Sequence, residues 1–565
     1  MQPRLLGTSR ADYLRGDFGS TTPIVIYGLK GDDHLVSIER ANDAVDDLYG
    51  GQGADRLELD FFSVTTRGVF DGGTGYDTLA ITGPLINVTD ADVRSIEAIE
   101  LSGSSHLYVS LSQLDDVAFA RALALSGAGG SAQLNITVGS VGASVNLTEL
   151  TFTDWAPTNV VAVWGSAQND TFVGSRASDI ISGGAGNDSF YWSPASTLAP
   201  KGDGLSGGDG DDTFFVSGAR DPHLGYAEGG AGIDTLSVTA TSVAFSANLT
   251  ESRLESIEKI VLGGNDATVR LELLGSQIGG TGVAADALVS GGGAGSATLR
   301  VIAGPSAPAG GAPDVDLSGL RFTSWSQTGV RPDQVVIAGG DRDDHLIGSS
   351  QADRIYGGRG ADRMEGGLGN DRYFVDNAKD VVIEAAHGGR DVVETSVSYR
   401  LTNGQVEDLR VSLDGFLADI DLTGNKRGNF LVGGDGDNVL KGLRGKDNLL
   451  GGDGDDVLHG GAHADVLTGG AGKDIFVFDT ALGSIDVIKD FSHAHDAIAL
   501  DDAIFTAFAN GRAGSAEIYD HLFYDAPTGY LYYDADGAAG PGARVAFAKL
   551  TAGLTDLDAS DVLIV

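Results

Sequence analysis

The chain has no cysteine, only 13 prolines in 565 residues, and 37 Lys and Arg against 79 Asp and Glu, a net charge of −42. Without cysteine there is no disulfide framework and no cysteine-ligated zinc. The shortage of positive charge argues against nucleic acid and anionic lipid as partners, since both need a basic face. No apolar run is long enough to span a bilayer. The start, Met1 to Leu14, carries two arginines but lacks the apolar stretch of a Sec-type signal peptide, so none is expected. HExxH does not occur, which argues against a zinc protease of the kind that motif marks, and the one GxSxG string, Gly204 to Gly208, runs into the nonapeptide that starts at Gly207.

What the chain has in excess is glycine, 85 residues, and the glycine is periodic. From Gly424 to Val477 the sequence reads in nines: GNKRGNFLV, GGDGDNVLK, GLRGKDNLL, GGDGDDVLH, GGAHADVLT, GGAGKDIFV. Gly339 to Phe374 gives four more copies and Gly165 to Tyr191 three. Single copies start at Gly7, Gly28, Gly50, Gly72, Gly207 and Gly229. Of these nineteen copies, position 8 is apolar in all, far above what a 42% hydrophobic composition gives by chance. Position 6 is Asp12, Asp33, Asp55, Asp77, Asp170, Asp179, Asp188, Asp212, Asp234, Asp344, Asp353, Asp362, Asp371, Asp447, Asp456, Asp465 or Asp474, and Asn429 and Asn438 in the remaining two.

The chemistry follows from the pattern. Glycine at positions 1, 2 and 4 permits a tight turn and leaves backbone carbonyls uncovered. The position-6 carboxylate adds a hard anionic oxygen, and six to eight such oxygens suit Ca²⁺. Positions 7 to 9 read as a short strand whose middle residue points inward. Two nonamers make an 18-residue coil, so motifs n and n+2 stack on the same side. A calcium ion between them would bring Asp447 to Asp465 and Asp456 to Asp474. The carbonyls expected to join the carboxylates are those of Gly339, Gly357, Gly366, Gly433, Gly451, Gly460 and Gly469. One inward side chain per nine ordered residues is a thin core, and clustered carboxylates repel, so calcium is expected to drive folding.

These nonapeptides resemble the GGxGxDxUx repeats of the RTX (repeats-in-toxin, hemolysin-type calcium-binding) family of type I-secreted bacterial proteins. The resemblance implies an all-β, elongated parallel β-roll or β-solenoid with multiple Ca²⁺ in its turns. The stretch Asp376 to Gly424 resembles a connector between such arrays. The segments Asp486–Phe491, Leu522–Asp525 and Tyr530–Gly537 resemble the β-rich C-terminal cap. The ending Asp561–Val565 places an acid before an apolar tail, similar to an uncleaved type I secretion signal and equally readable as an edge strand. Secretion, and the type I apparatus as a partner, follow from this resemblance.

The organisation expected is degenerate repeats over 1–68, a first β-module over 69–191, a duplicated module over 192–374, the connector over 375–423, the main roll over 424–477, and the cap over 478–565. The duplication is visible as Ser95–Ile99 against Ser256–Ile260 and Phe152–Trp155 against Phe322–Trp325. The SIExI segments read as strands or single helical turns. The stretches between arrays read as continued solenoid or as separate β-sandwiches.

Other candidates read more simply. Asp221–Pro222–His223–Leu224 shares three residues with the DPHE motif of mannuronan epimerases but reads as a surface turn. His493 and His495 read as a solvated loop rather than a zinc pair. The carboxylate pairs Asp32–Asp33, Asp211–Asp212, Asp343–Asp344 and Asp455–Asp456 fall at motif positions 5 and 6. Trp155, Trp164, Trp192 and Trp325 offer a sugar platform, although the matching places of Trp155 and Trp325 favour packing. The leading reading is a non-catalytic surface or matrix protein, an adhesin or surface-layer component that meets cell-surface polysaccharide or assembles with itself. The alternatives are an extracellular polysaccharide-acting enzyme and a free calcium-binding effector.

Overall fold

The computed structural model describes residues 2–16, 22–38, 45–63, 66–114, 119–127, 129–191, 202–217, 224–240, 244–264, 268–292, 295–305, 313–327, 332–413, 416–508, 514–540, 542–554 and 557–565. Trp192 and the turn Asp221–His223 lie outside these residues. The chain divides into two units. One holds Met1–Leu273, Gln277–Thr298 and Arg321–Asp333; the other holds Leu274–Ser276, Leu299–Leu320 and Gln334–Val565.

Both units are β-solenoids. Short strands pair in parallel with the strands one coil before and one coil after. In the second unit Leu431, Leu449 and Leu467 are register partners at steps of 18 residues, as are Leu440, Leu458 and Phe476. These are position-8 residues, and all six are fully buried. The two rows form the inward layers of one roll, because strand side chains alternate and only the middle residue of each triplet faces in. Eighteen of the nineteen position-8 side chains are buried; Leu14, in the first coil, is half-buried. In the first unit the coil step is 22 residues at Ile26–Leu48–Phe70.

The stretches between arrays continue the solenoid. Leu107, Leu134 and Val161 are register partners at steps of 27 residues, and Val161 pairs with Asp179 at the array step of 18. Longer coils hold their extra residues outside the strands, where they leave the parallel ladder undisturbed. The connector belongs to the stack as well: Val392–Thr395 pairs with Arg372–Val375 on one side and Asp408–Val411 on the other.

The duplication is strand for strand. Fourteen strands from Val69–Thr74 to Ser189–Tyr191 correspond in order to fourteen from Leu224–Ala231 to Arg363–Glu365. Among the described residues each set has a 3-10 turn at the same place, Leu111–Gln113 and Gly275–Gln277. Gln113 Nε2 donates to the carbonyls of Val88 and Ala91, and Gln277 Nε2 to those of Leu249 and Ser252. The SIExI segments resolve as strands, Ile96–Leu101 and Ile257–Gly264, each entered through a left-handed serine, Ser95 (φ 51°) and Ser256 (φ 50°).

The cap is an antiparallel sheet of Leu522–Asp525, Tyr530–Tyr533 and Val545–Lys549, preceded by the helix Ser515–His521. Its last strand pairs in parallel with Asp486–Ile488 of the roll. The C-terminal tail is an edge strand, Val562–Ile564, in parallel register with Ala497–Leu500.

Candidate metal sites

The nineteen position-6 side chains stand in seven columns. In each, the backbone N–H of one residue donates to a carboxylate oxygen one coil further on. Asp12, Asp33, Asp55 and Asp77 form the first, at 2.7, 2.8 and 2.8 Å. Asp170, Asp188, Asp212 and Asp234 form the second, at 2.7, 2.7 and 2.8 Å. Asp179 heads a third, followed by Asp203 at 3.0 Å. The second unit holds Asp344–Asp362 (2.9 Å) and Asp353–Asp371 (2.8 Å). It also holds Asn429–Asp447–Asp465 (2.6 and 2.8 Å) and Asn438–Asp456–Asp474 (2.8 and 3.0 Å).

The columns run past the nonapeptides onto residues that the repeat pattern does not flag. Asp77 donates to Glu97 and Asp234 to Glu258, the glutamates of the two SIExI segments. Asp362 donates to Asp380, Asp371 to Asp391, Asp465 to Asp486, and Asp474 to Asp496. The duplicated SIExI segments are the sequence signal for the two glutamates, and the 18-residue step from Asp362 is the signal for Asp380.

The second carboxylate oxygen divides the motifs into two kinds. In twelve, Oδ2 is buried and has no hydrogen-bond partner among the described residues: Asp33, Asp55, Asp77, Asp188, Asp212, Asp234, Asp362, Asp371, Asp447, Asp456, Asp465 and Asp474. In all twelve the residue at position 2 has a left-handed backbone, from Leu443 at φ 75° to Gly452 at φ 128°. The other seven turns are closed. Position 2 there has no positive φ, and its N–H donates to the position-6 side chain. Thr8, Ser166, Ser175 and Ser349 add their hydroxyls, to Asp12, Asp170, Asp179 and Asp353. Arg342 lies 3.0 Å from Asp344 Oδ1, and Asn429 and Asn438 carry no charge. Each closed turn is the first member of its column. A first turn has no earlier nonapeptide turn with which to share an ion, so its own backbone and side chains satisfy it.

The open turns have room for a cation where a side chain would stand. A Cβ on Gly451 would overlap Asp456 Oδ2 and lie 2.5 Å from the carbonyl of Gly469, one coil on. A Cβ on Gly357, Gly366, Gly460 or Gly469 would likewise lie within 2.8 Å of the position-6 oxygen of its own motif; Gly339 and Gly433 begin closed turns, where a Cβ would lie 2.9 Å from Asp344 Oδ2 and 2.5 Å from Asn438 Oδ1. Burial pushes the carboxyls of Asp55, Asp77, Asp188, Asp234, Asp465 and Asp474 up to about 6. It pushes Asp212, Asp362, Asp447 and Asp456 up to about 7. A buried carboxylate with an unpartnered oxygen costs free energy unless a proton or a cation joins it. The donor set is all oxygen, carboxylate plus carbonyl, and it fits calcium.

The model of the RTX calcium-binding nonapeptide repeat matches the chain at residues 40–60, 164–191, 338–373, 423–457 and 442–476. The chain carries RTX calcium-binding repeats. No curated protein matches it. The motifs at Gly7, Gly28, Gly72, Gly207 and Gly229 lie outside the matched stretches, yet Asp12, Asp33 and Asp77 stand in the column of the matched Asp55, and Asp212 and Asp234 in that of the matched Asp170 and Asp188.

The remaining candidates have structural partners. In the four carboxylate pairs the outer members Asp32, Asp211, Asp343 and Asp455 accept the N–H of position 5 one coil on, at 2.7–2.8 Å. They brace consecutive RTX turns. Trp155 and Trp325 pack against Phe152 and Phe322 at 5.4 and 5.1 Å, while Trp164 is exposed. His493 Nδ1 bonds Asp561 at 2.7 Å and His495 Nδ1 bonds Ser492 Oγ at 3.2 Å, so the two rings serve different partners.

Proposed function

We propose that the chain is a secreted protein that calcium folds outside the cell, and that it serves there as a non-catalytic surface or matrix component. The observation that carries the folding half is the set of twelve buried, unpartnered aspartate oxygens, each beside a glycine that leaves room for an ion. In calcium-poor cytosol those turns repel, and the chain stays exportable. In calcium, which supplies the missing positive charge, the columns close. The absence of cysteine suits this route, because no disulfide can form before export.

The strand-for-strand duplication supports the non-catalytic half. Repeating a module lengthens a solenoid and multiplies its exposed face, which serves adhesion or lattice formation. Export through a type I apparatus, addressed by the C-terminal region, completes the reading. The test is secretion of the whole chain, and of the chain lacking 486–565, from a strain with a type I exporter. The whole chain is expected in the medium or on the cell surface, and the truncated chain inside the cell. Equal export of both would contradict the address. Electron micrographs of the purified protein in calcium then separate ordered sheets from isolated particles.

A further inference from the structure

Three buried carboxylates meet where the second-unit array joins the connector. Asp371 is position 6 of the last motif in that array. Glu384 follows the strand Val381–Ile383, and Asp391 precedes Val392–Thr395. They are 1%, 5% and 1% exposed, and one oxygen of each lies within 4.8 Å of the others. Asp391 Oδ1 accepts the Asp371 N–H at 2.9 Å, and Glu384 accepts the Tyr373 hydroxyl. Asp371 Oδ2 has no partner.

Glycine frames the space these groups share. A Cβ on Gly366 would overlap Asp371 Oδ2 and the Tyr373 hydroxyl and lie 2.6 Å from Glu384 Oε1. A Cβ on Gly388 would lie 2.9 Å from Glu384 Oε2 and 2.7 Å from the carbonyl of Gly367. In the ordinary turns at Gly348 and Gly451 the carbonyl of the next coil's position-1 glycine occupies this place. Here a carboxylate from outside the repeat takes over. Tyr373 is also the one tyrosine among the nineteen position-8 residues, and its hydroxyl, fully buried, is held by that same glutamate.

We propose that Asp371, Glu384 and Asp391 form a composite calcium site, in which two carboxylates from outside the repeat complete the open turn of Asp371, and that it ends the array and ties residues 376–391 to it. The proposal rests on the calcium-binding reading above. Three acidic groups in a dry pocket, none ion-paired with Lys, Arg or His among the described residues, need a cation to be ionised together. The donors are all hard oxygens, which selects calcium over softer metals. Three carboxylates exceed the charge of an ordinary open turn, so this site fills at lower calcium than the columns do.

Terbium, a calcium surrogate whose emission a nearby tyrosine excites, is the probe. The full chain is titrated with terbium as wild type, as Glu384→Gln and as Tyr373→Phe. Circular dichroism in saturating calcium verifies that each is folded. The proposal expects Tyr373→Phe to lose the tyrosine-excited emission that appears at the first equivalents. It expects Glu384→Gln to need about tenfold more terbium for that phase. Folded variants with unchanged titrations overturn the composite site and leave the calcium reading standing. A wild-type chain whose β signal ignores calcium would instead defeat the reading on which the site rests.

Discussion

The backbone N–H of Asp447 donates to Oδ1 of Asp465, 2.8 Å away and one coil of 18 residues further on, while Oδ2 of Asp465 is buried with no partner. One oxygen holds the coils in register, and the other is left for an ion. A single side chain therefore links the parallel ladder to calcium, and removing it is felt twice.

The open and closed turns should differ in their response to neutralisation. Asp456→Asn is expected to weaken calcium binding at its turn by about tenfold, roughly 1.4 kcal/mol, and to raise the calcium midpoint of folding. Asp170→Asn removes charge from a turn already satisfied by Ser166, and should leave the midpoint close to wild type. Calcium titrations followed by circular dichroism compare the two. Equal shifts would contradict the division of the motifs.

The space beside the position-1 glycine should matter without any change of charge. Gly451→Ala places a methyl group against Asp456 Oδ2 and the Gly469 carbonyl, so it should weaken calcium binding about as much as Asp456→Asn does. Gly483→Ala, where a Cβ meets nothing within 4 Å, is the control and should be neutral. The same titration reads both.

Acid should act in opposite directions with and without calcium. Burial holds the carboxyls of Asp55 at about 6 and of Asp447 and Asp456 at about 7, above the ordinary value near 4. A raised carboxyl favours the folded form when protonated. Its contribution is present at low pH and is lost as pH rises through 6 to 7. In chelator, the β signal should therefore grow from pH 8 to pH 5. In limiting calcium, protons compete for the same oxygens, and the calcium midpoint should rise over that interval. Circular dichroism against pH in the two buffers checks the pair of slopes; parallel slopes would contradict it.

Much of this was legible in the residues. The apolar position 8 announced the inward rows, and the nine-residue spacing announced that Asp447 stands over Asp465. The division into open and closed turns was only half legible. Thr8, Ser166, Ser175, Ser349 and Asn425 mark closed turns by a side chain at position 2, but Gly340 and Gly434 do not, and Leu29 and Leu443 sit in open turns. What decides is whether an earlier nonapeptide turn stands beneath it in the column, a property of the stack rather than of the single nonamer. The column ends at Glu97, Glu258, Asp391, Asp486 and Asp496 were hidden because coils longer than 18 residues break the spacing by which they would be recognised, whereas Asp380 keeps the 18-residue step from Asp362 but stands outside any nonapeptide.

The central claim is that calcium, not the thin apolar core, holds the columns together. Its most direct test is far-ultraviolet circular dichroism of the purified full chain at pH 8, first in chelator and then in millimolar calcium, with the bound ions counted in the second sample. The account predicts a largely unfolded spectrum in chelator and a cooperative gain of β structure with calcium. It predicts about twelve bound ions, one for each open turn, with that of Asp371 at its composite site. A full β spectrum in chelator, or a folded chain without bound calcium, would contradict it.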